Sequence, residues 1–362
     1  MKIGLSTEHI IEKETGVGDY AYNIISNLLS IDKKNKYYLI HNRKINKDIF
    51  NKTNNLIIPL PKIKPRELLW HFYTLPKKLE KLGLDIFHST AQLNSISNTK
   101  YKKMITIHDL AAIKFPHTHN LYPRLSAKYI LPKVISKSDK IIAVSENTKK
   151  DIINYFKVDK DKIEVIYEAA EKIFKPVKTK KVLEKYNIDQ PYILYVGTIE
   201  PRKNINLIIK AFQEIKRNNL PHKLVIVGKF GWKYQSILTS LKGSNDIILT
   251  GYVKKEDLPE FYSNAEFLVY PSLYEGFGLP PLQAMACSCP VISSNTSSLP
   301  EVIGNAGILI NPKDKETLKS SMLKLIKDRS LISELKKKGL KQSKKFSWEE
   351  SAKKTLNIYN SL

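Results

Sequence analysis

The sequence predicts an α/β protein with two doubly wound parallel sheets, and three observations lead there. Short, apolar, β-branched runs alternate with stretches of helical periodicity over most of the 362 residues, the pattern of repeated βα units. Many of these runs end in Gly or Pro, as the tight turn from a parallel strand into its following helix requires. The alternation pauses once, in the charged, Pro-containing stretch 174–181, and then restarts. A chain of this length holds more than one unit of roughly 150 residues, so the boundary is set near residue 178.

In the first half, strands are expected at Lys2–Ser6, Tyr37–Ile40, Leu56–Pro59, Ile86–Ser89, Met104–Ile107, Ile141–Val144 and Ile163–Ile166. Between them, Asp19 to Leu29 places Tyr20, Ile24, Ile25, Leu28 and Leu29 at helical spacing, and Leu68–Leu82 and Glu146–Phe156 read the same way, the latter with Ser145 as N-cap. In the second half, strands are expected at Tyr192–Val196, Leu224–Val227, Ile247–Leu249, Phe267–Tyr270, Pro290–Ile292 and Ile308–Ile310, and the segment Trp348–Leu362 reads as a last amphipathic helix. Ligands of doubly wound sheets bind outside the carboxyl ends of the strands, so the residues that follow the strands carry the functional expectation.

The 60 Lys and Arg against 35 Asp and Glu leave a net charge of +25, while 42% hydrophobic residues exclude a disordered polycation. Such charge points to anionic partners: nucleic acid, an acidic membrane surface or phosphorylated ligands. No apolar signal-peptide region follows Met1, and the uncharged stretch 276–300 is broken by Pro280, Pro281 and Pro290, so no spanning helix is expected. The two cysteines, Cys287 and Cys289, offer neither a disulfide framework nor a zinc site and suit a reducing, cytoplasmic compartment. Neither they nor His117 and His119 are assigned a role.

Four segments carry chemistry. In Gly197-Thr198-Ile199-Glu200-Pro201-Arg202-Lys203-Asn204 a strand ends in a glycine turn and two cations precede a helix, an arrangement suited to a diphosphate: Arg202 forks onto phosphate oxygens and Lys203 adds a compact charge. In Ser272-Leu273-Tyr274-Glu275-Gly276-Phe277-Gly278-Leu279-Pro280-Pro281 a lone carboxylate, Glu275, sits in a glycine-punctuated turn, and the N–H groups of Gly278 and Leu279 open a helix towards an anion. A carboxylate beside a phosphate site needs another task, such as accepting hydrogen bonds from sugar hydroxyls. At the end of a first-half strand stands His108-Asp109, and Gly16-Val17-Gly18 forms a glycine loop before the first helix that admits a phosphate or sugar; it lacks the full dinucleotide fingerprint.

In this order and on these elements, the four segments resemble the retaining glycosyltransferases of family 4, whose two Rossmann-like domains form the GT-B fold. The resemblance runs from the glycine loop to Phe346-Ser347-Trp348 and includes 297–307. It implies an acceptor domain over 1–178, a nucleotide-sugar domain over 179–345 and a helix over 346–362 that crosses back to the first. It further implies that Arg202 and Lys203 hold the donor diphosphate and stabilise the charge of the leaving group, that Glu275 binds donor-sugar hydroxyls, and that His108 lies beside the reacting centre. Gly278 and Leu279 would meet the phosphates, and Gly16 and Gly18 would approach donor and acceptor. No metal or other cofactor is implied.

Two positions depart from the family pattern. Eight residues after Glu275 stands Gln283 in place of the second glutamate of the family's acidic motif; its amide oxygen still accepts a hydrogen bond from the ribose, with weaker binding expected. The first glycine loop continues Gly18-Asp19 where relatives often carry a basic residue. The stretches 107–110, 200–204 and 227–234 look most like a mannosyltransferase-like branch that builds bacterial surface polysaccharides. GDP-mannose is therefore the leading donor, a UDP- or dTDP-sugar the alternative, and the acceptor a saccharide, free or lipid-diphosphate-linked. Between Lys62 and Lys81 six cations interleave with Leu68, Trp70, Phe72 and Tyr73, which makes an anionic leaflet a candidate partner and an ordinary amphipathic helix its equal. The rival classes are a nucleic-acid-binding protein, disfavoured by scattered cations and the absence of a known motif, and an epimerase, phosphorylase or non-catalytic partner subunit on the same fold.

Overall fold

The computed structural model describes residues 1–10, 16–45, 47–64, 66–241 and 244–362. The chain forms two compact units: 1–113 with 121–168 and 347–362, and 114–120 with 169–346.

The first unit is built on seven strands: β1 (Lys2–Ser6), β2 (Lys36–His41), β3 (Asn54–Ile57), β4 (Ile86–Ser89), β5 (Lys102–Ile107), β6 (Lys140–Ala143) and β7 (Ile163–Val165). They lie in the order β3-β2-β1-β4-β5-β6-β7, every pair parallel. The second unit holds β8 (Tyr192–Val196), β9 (Lys223–Val227), β10 (Ile247–Gly251), β11 (Phe267–Tyr270), β12 (Val291–Ser294) and β13 (Ile308–Ile310), in the order β10-β9-β8-β11-β12-β13 and again all parallel. The central strands are buried along their whole length, as in β4, β8, β11 and β12. A parallel sheet covered by helices on both faces accounts for the continuous apolar runs. In each sheet the strand order reverses once, between β1 and β4 and between β8 and β11; these switch points open a crevice at the carboxyl ends.

The expected strands are all present, with ends shifted by at most two residues. The helix after β1 runs Gly16–Ile31, so Gly16 and Gly18 lie in its first turn and not in a free loop; residues 11–15, Thr15 among them, fall outside the described set. The helix Glu146–Phe156 is capped by Ser145, which accepts from the Thr148 N–H. The segment 66–82 is helical throughout with a π turn at Trp70–Thr74. Of its interleaved apolar side chains Trp70, Leu75 and Leu79 are buried, and Trp70 Nε1 donates to the Ile58 carbonyl at 2.7 Å. Tyr73 remains exposed. Among the described residues no helix is long and apolar enough to cross a membrane.

The C-terminal helix Trp348–Ser361 packs in the first unit, against the helix Gly16–Ile31. A buried polar chain secures it: Tyr20 OH meets Thr106 Oγ1 at 3.0 Å, Thr106 Oγ1 meets His88 Nε2 at 2.9 Å, and His88 Nδ1 meets Tyr359 OH at 2.7 Å. Burial, then the charge of His108, pushes His88 down to about 3, so its ring stays neutral with one donor and one acceptor nitrogen, one for each neighbour. Tyr359→Phe leaves His88 Nδ1 buried and unpaired and should cost ~1–3 kcal/mol of stability, read as a lower urea midpoint with unchanged slope.

Candidate active site

At the β8/β11 switch point the two motif segments of the second unit converge. After β8 the chain turns at Gly197, and Gly228 after β9 packs so close that a Cβ there would stand 1.9 Å from the Gly197 carbonyl oxygen; no other residue fits. A short 3₁₀ turn, Pro201–Lys203, then carries both cations, and Asn204 in a left-handed conformation (φ 57°) joins it to the helix Ile205–Lys216. Asn204 is fixed by its side-chain amide, which donates to the carbonyls of Pro271 and Pro312 at 3.2 and 2.7 Å. From β11 the turn 271–278 delivers Glu275, whose N–H donates to Ser297 Oγ at 2.9 Å, while Ser298 Oγ donates to the carbonyls of Glu275 and Phe277.

The side chains form one buried charge cluster. Arg202 Nη1 donates to Glu275 Oε2 at 3.0 Å and to the Tyr274 carbonyl at 2.6 Å, and Nη2 donates to Glu200 Oε1 at 2.7 Å. Lys203 Nζ donates to Glu275 Oε1 at 2.6 Å and to Tyr270 OH at 2.8 Å, and Tyr270 OH in turn donates to Glu275 Oε1 at 3.0 Å. The side chains of Arg202, Lys203 and Glu275 are 10–11% exposed. Burial raises the Glu275 carboxyl, but Arg202 and Lys203 outweigh it and hold the group down at about 2. Burial dominates at Lys203 and lowers its ammonium against the pull of Glu275.

Two cations and two carboxylates thus face one another at close range. The two cations and the carboxylate singled out in the sequence therefore meet, with one difference. The sequence assigns Glu275 to sugar hydroxyls alone, whereas here both of its oxygens brace the cations, leaving only their remaining lone pairs for a ligand. Glu200, which sequence reading quoted without a role, is the second brace of Arg202; the signal was its place in the turn two residues before the cation. Tyr270, the last residue of β11, was read only as strand.

Gly278 precedes the helix Leu279–Ala286 with φ 116°, where a Cβ would meet Leu299 at 2.8 Å. Pro280 and Pro281 carry no N–H, so Gly278 and Leu279 supply the amides at this end of the helix. Gln283 sits one turn further, nearly buried, its Oε1 accepting from Tyr262 OH at 3.1 Å. Cys287 and Cys289 are buried free thiols, and burial pushes Cys287 up to about 12, which makes both inert.

His108 belongs to the first unit. It follows β5 directly, meets the Thr90 carbonyl through Nε2 at 2.9 Å and Glu168 Oε1 through Nδ1 at 3.3 Å, and lies edge-on to Tyr20 with centroids 4.8 Å apart. Both ring nitrogens face acceptors, a demand that only the imidazolium satisfies. Burial opposes the charge, but Glu168 prevails and raises the His108 pKa above its ordinary value. In its charged form the ring engages both N–H groups and has no lone pair to act as a base. Glu168, just beyond β7, gave no sequence signal except its strand-end position. Among the described residues no three His, Cys, Asp or Glu converge as a metal site.

The family model described as Glycosyltransferase Family 4 matches residues 18–170, and that described as Glycosyl transferases group 1 matches residues 178–342. The O-antigen chain mannosyltransferase B of Escherichia coli is 31% identical over an alignment covering 100% of both chains. Among solved structures, the sucrose-phosphate synthase of Thermosynechococcus elongatus superposes with a TM-score of 0.78 at 21% identity, covering 99% of this chain and 98% of that one. Anabaena HepE, in complex with UDP and glucose, does so with a TM-score of 0.78 at 14% identity over 100% of both chains; these two show the shared GT-B fold. The chain belongs to family 4 of the glycosyltransferases and is a nucleotide-sugar-dependent transferase.

Proposed function

We propose that the protein transfers mannose from GDP-mannose, with retention of anomeric configuration and without a metal ion, to a saccharide or lipid-linked saccharide acceptor of a bacterial surface polysaccharide. The observation that carries this is the braced pair Arg202 and Lys203 at the β8/β11 switch point, in a chain that aligns end to end with an O-antigen chain mannosyltransferase. In the reaction the bond from the sugar C1 to the diphosphate oxygen breaks, the bond from C1 to the acceptor oxygen forms on the same face, and the acceptor proton passes to the departing phosphate oxygen. Negative charge grows on the diphosphate, and preorganised cations in a buried site stabilise it where water would have to reorient. Arg202 and Lys203 supply those cations; Glu275 and Glu200 hold them aimed before the donor arrives, and Glu275 offers its remaining lone pairs to sugar hydroxyls.

The N–H groups of Gly278 and Leu279 complete the phosphate contacts, and Gln283 accepts from the ribose, competing with Tyr262 for its amide oxygen. His108 belongs beside the reacting sugar, and Gly16 and Gly18, at the start of the helix Gly16–Ile31, leave room for the substrate to approach the backbone. Thermal melts of the full chain with GDP, UDP and dTDP and their sugar conjugates test the donor. GDP and GDP-mannose should give the largest rise in Tm, corresponding to about 2.7 kcal/mol at a hundredfold excess over Kd. A larger rise with UDP or dTDP compounds overturns the choice of donor, and a β-linked product by NMR overturns retention from an α-linked donor.

A further inference from the structure

The first unit has a switch point of its own, between β1 and β4, and the residues around it take no part in the clamp. Beyond β1 the chain makes a tight turn, closed by the Ile10 N–H donating to the Thr7 carbonyl at 3.0 Å, that holds Glu8 and His9 at the carboxyl end of the sheet. The helical segment 66–82 brings up His71, whose Nε2 lies 3.3 Å from Glu8 Oε2. Thr90, the first residue beyond β4, carries His108 on its carbonyl, and His9 feels the charges of both His108 and His71.

This group is incompletely satisfied. The Glu8 side chain is 9% exposed, and its Oε1 has no hydrogen-bond partner; His9 Nε2 is 3.7 Å away. His71 is 2% exposed and its Nδ1 is also unpartnered. A buried carboxylate oxygen and a buried ring nitrogen without partners are costly to keep, and in native structures such groups are met by a ligand or water. His9, 43% exposed in its side chain, opens the group to solvent.

The chemistry selects the ligand. With Oε2 turned to His71 Nε2, the unpartnered Oε1 of Glu8 is an acceptor for a partner rich in O–H donors. The negative charge of Glu8 repels phosphate, which excludes the donor's diphosphate, and a neutral, polyhydroxylated ring fits. A transferase needs a second substrate besides the nucleotide-sugar, and the first sheet's crevice is the position at which a doubly wound unit binds it. Resting on the transferase reading above, we propose that Glu8, braced by His71 and with His9 at the rim, binds hydroxyls of the saccharide that accepts the transferred sugar.

Saturation-transfer NMR on the full chain tests this with methyl α- and β-hexopyranosides, mannosides included, as probes. The wild type should bind at least one of them, and Glu8→Gln should weaken that glycoside about tenfold or more while the rise in Tm with nucleoside diphosphate stays at the wild-type value. If Glu8→Gln does not fold, His9→Ala, a change at a half-exposed side chain, should weaken the glycoside severalfold with the same unchanged nucleotide response. Failure of the wild type to bind any of the glycosides overturns the proposal, as does wild-type glycoside affinity in the folded variants. Loss of the nucleotide response in the wild type would instead strike the donor reading, so the two failures are told apart.

Discussion

Arg202→Ala is expected to lower kcat by ~10²–10³-fold, the effect of deleting one preorganised donor from a site that stabilises a growing anion, and to abolish the rise in Tm that nucleoside diphosphates give the wild type. The size follows from geometry: Arg202 spans Glu200, Glu275 and the Tyr274 carbonyl, so its guanidinium is already oriented when the diphosphate arrives. Its removal also leaves Glu200 and Glu275 buried with fewer cations, and breaking a buried pair on one side costs about 3–5 kcal/mol, so the ligand-free Tm should fall as well. Arg202→Lys separates the two effects. It keeps the charge but not the fork, so most of the stability should return while kcat remains well below wild type. Wild-type kcat in either variant, measured with a donor that shifts the wild-type Tm, would remove the clamp from the mechanism.

Glu275→Gln has the second large effect, and its signature is a change in acid sensitivity. In the folded protein the carboxyl is held at about 2 against an ordinary value of 4.5. The folded state therefore binds the proton less readily than the unfolded one, and the contribution of Glu275 is complete above about pH 4.5 and lost as the pH falls towards 2. The glutamine variant should be less stable at neutral pH, because Arg202 and Lys203 lose their shared anion, and its stability should decline less between those two pH values. Urea denaturation at a series of pH values from 7 downwards reads both. Activity should drop as well, since the cations are no longer aimed. Parallel pH profiles for wild type and variant would mean that Glu275 does not carry the coupling described here.

The architecture and the charge cluster of the second unit were legible because they rest on local signals. A parallel strand buried on both faces must be a continuous apolar run, and its end must turn sharply; Tyr192–Val196 with Gly197, and Phe267–Tyr270 with Pro271, announce themselves on those grounds. The position of a motif after a strand then places it at the carboxyl end of a sheet, where Arg202, Lys203 and Glu275 indeed meet. The interleaved aromatics of 62–81 were less informative, since one residue's shift in helical phase decides between core and surface; Trp70 went inward and Tyr73 outward.

By itself the sequence determined the two-sheet plan, the strands and the residues that form the buried charge cluster, because periodicity, turn chemistry and charge are properties of neighbours along the chain. Only the tertiary structure decided which groups complete those residues. Glu200 and Tyr270 brace the cations, Tyr262 occupies the oxygen of Gln283, Glu168 faces His108 Nδ1, and Glu8 meets His71 across 63 positions of chain. Apart from Glu200, these partners come from distant segments, and a lone Glu or His in a strand-end loop carries no mark of what will face it. The strand order does, since it gathers the ends of β1, β4 and β5 in one place and those of β8 and β11 in another, and burial there gives each charge the partner it needs.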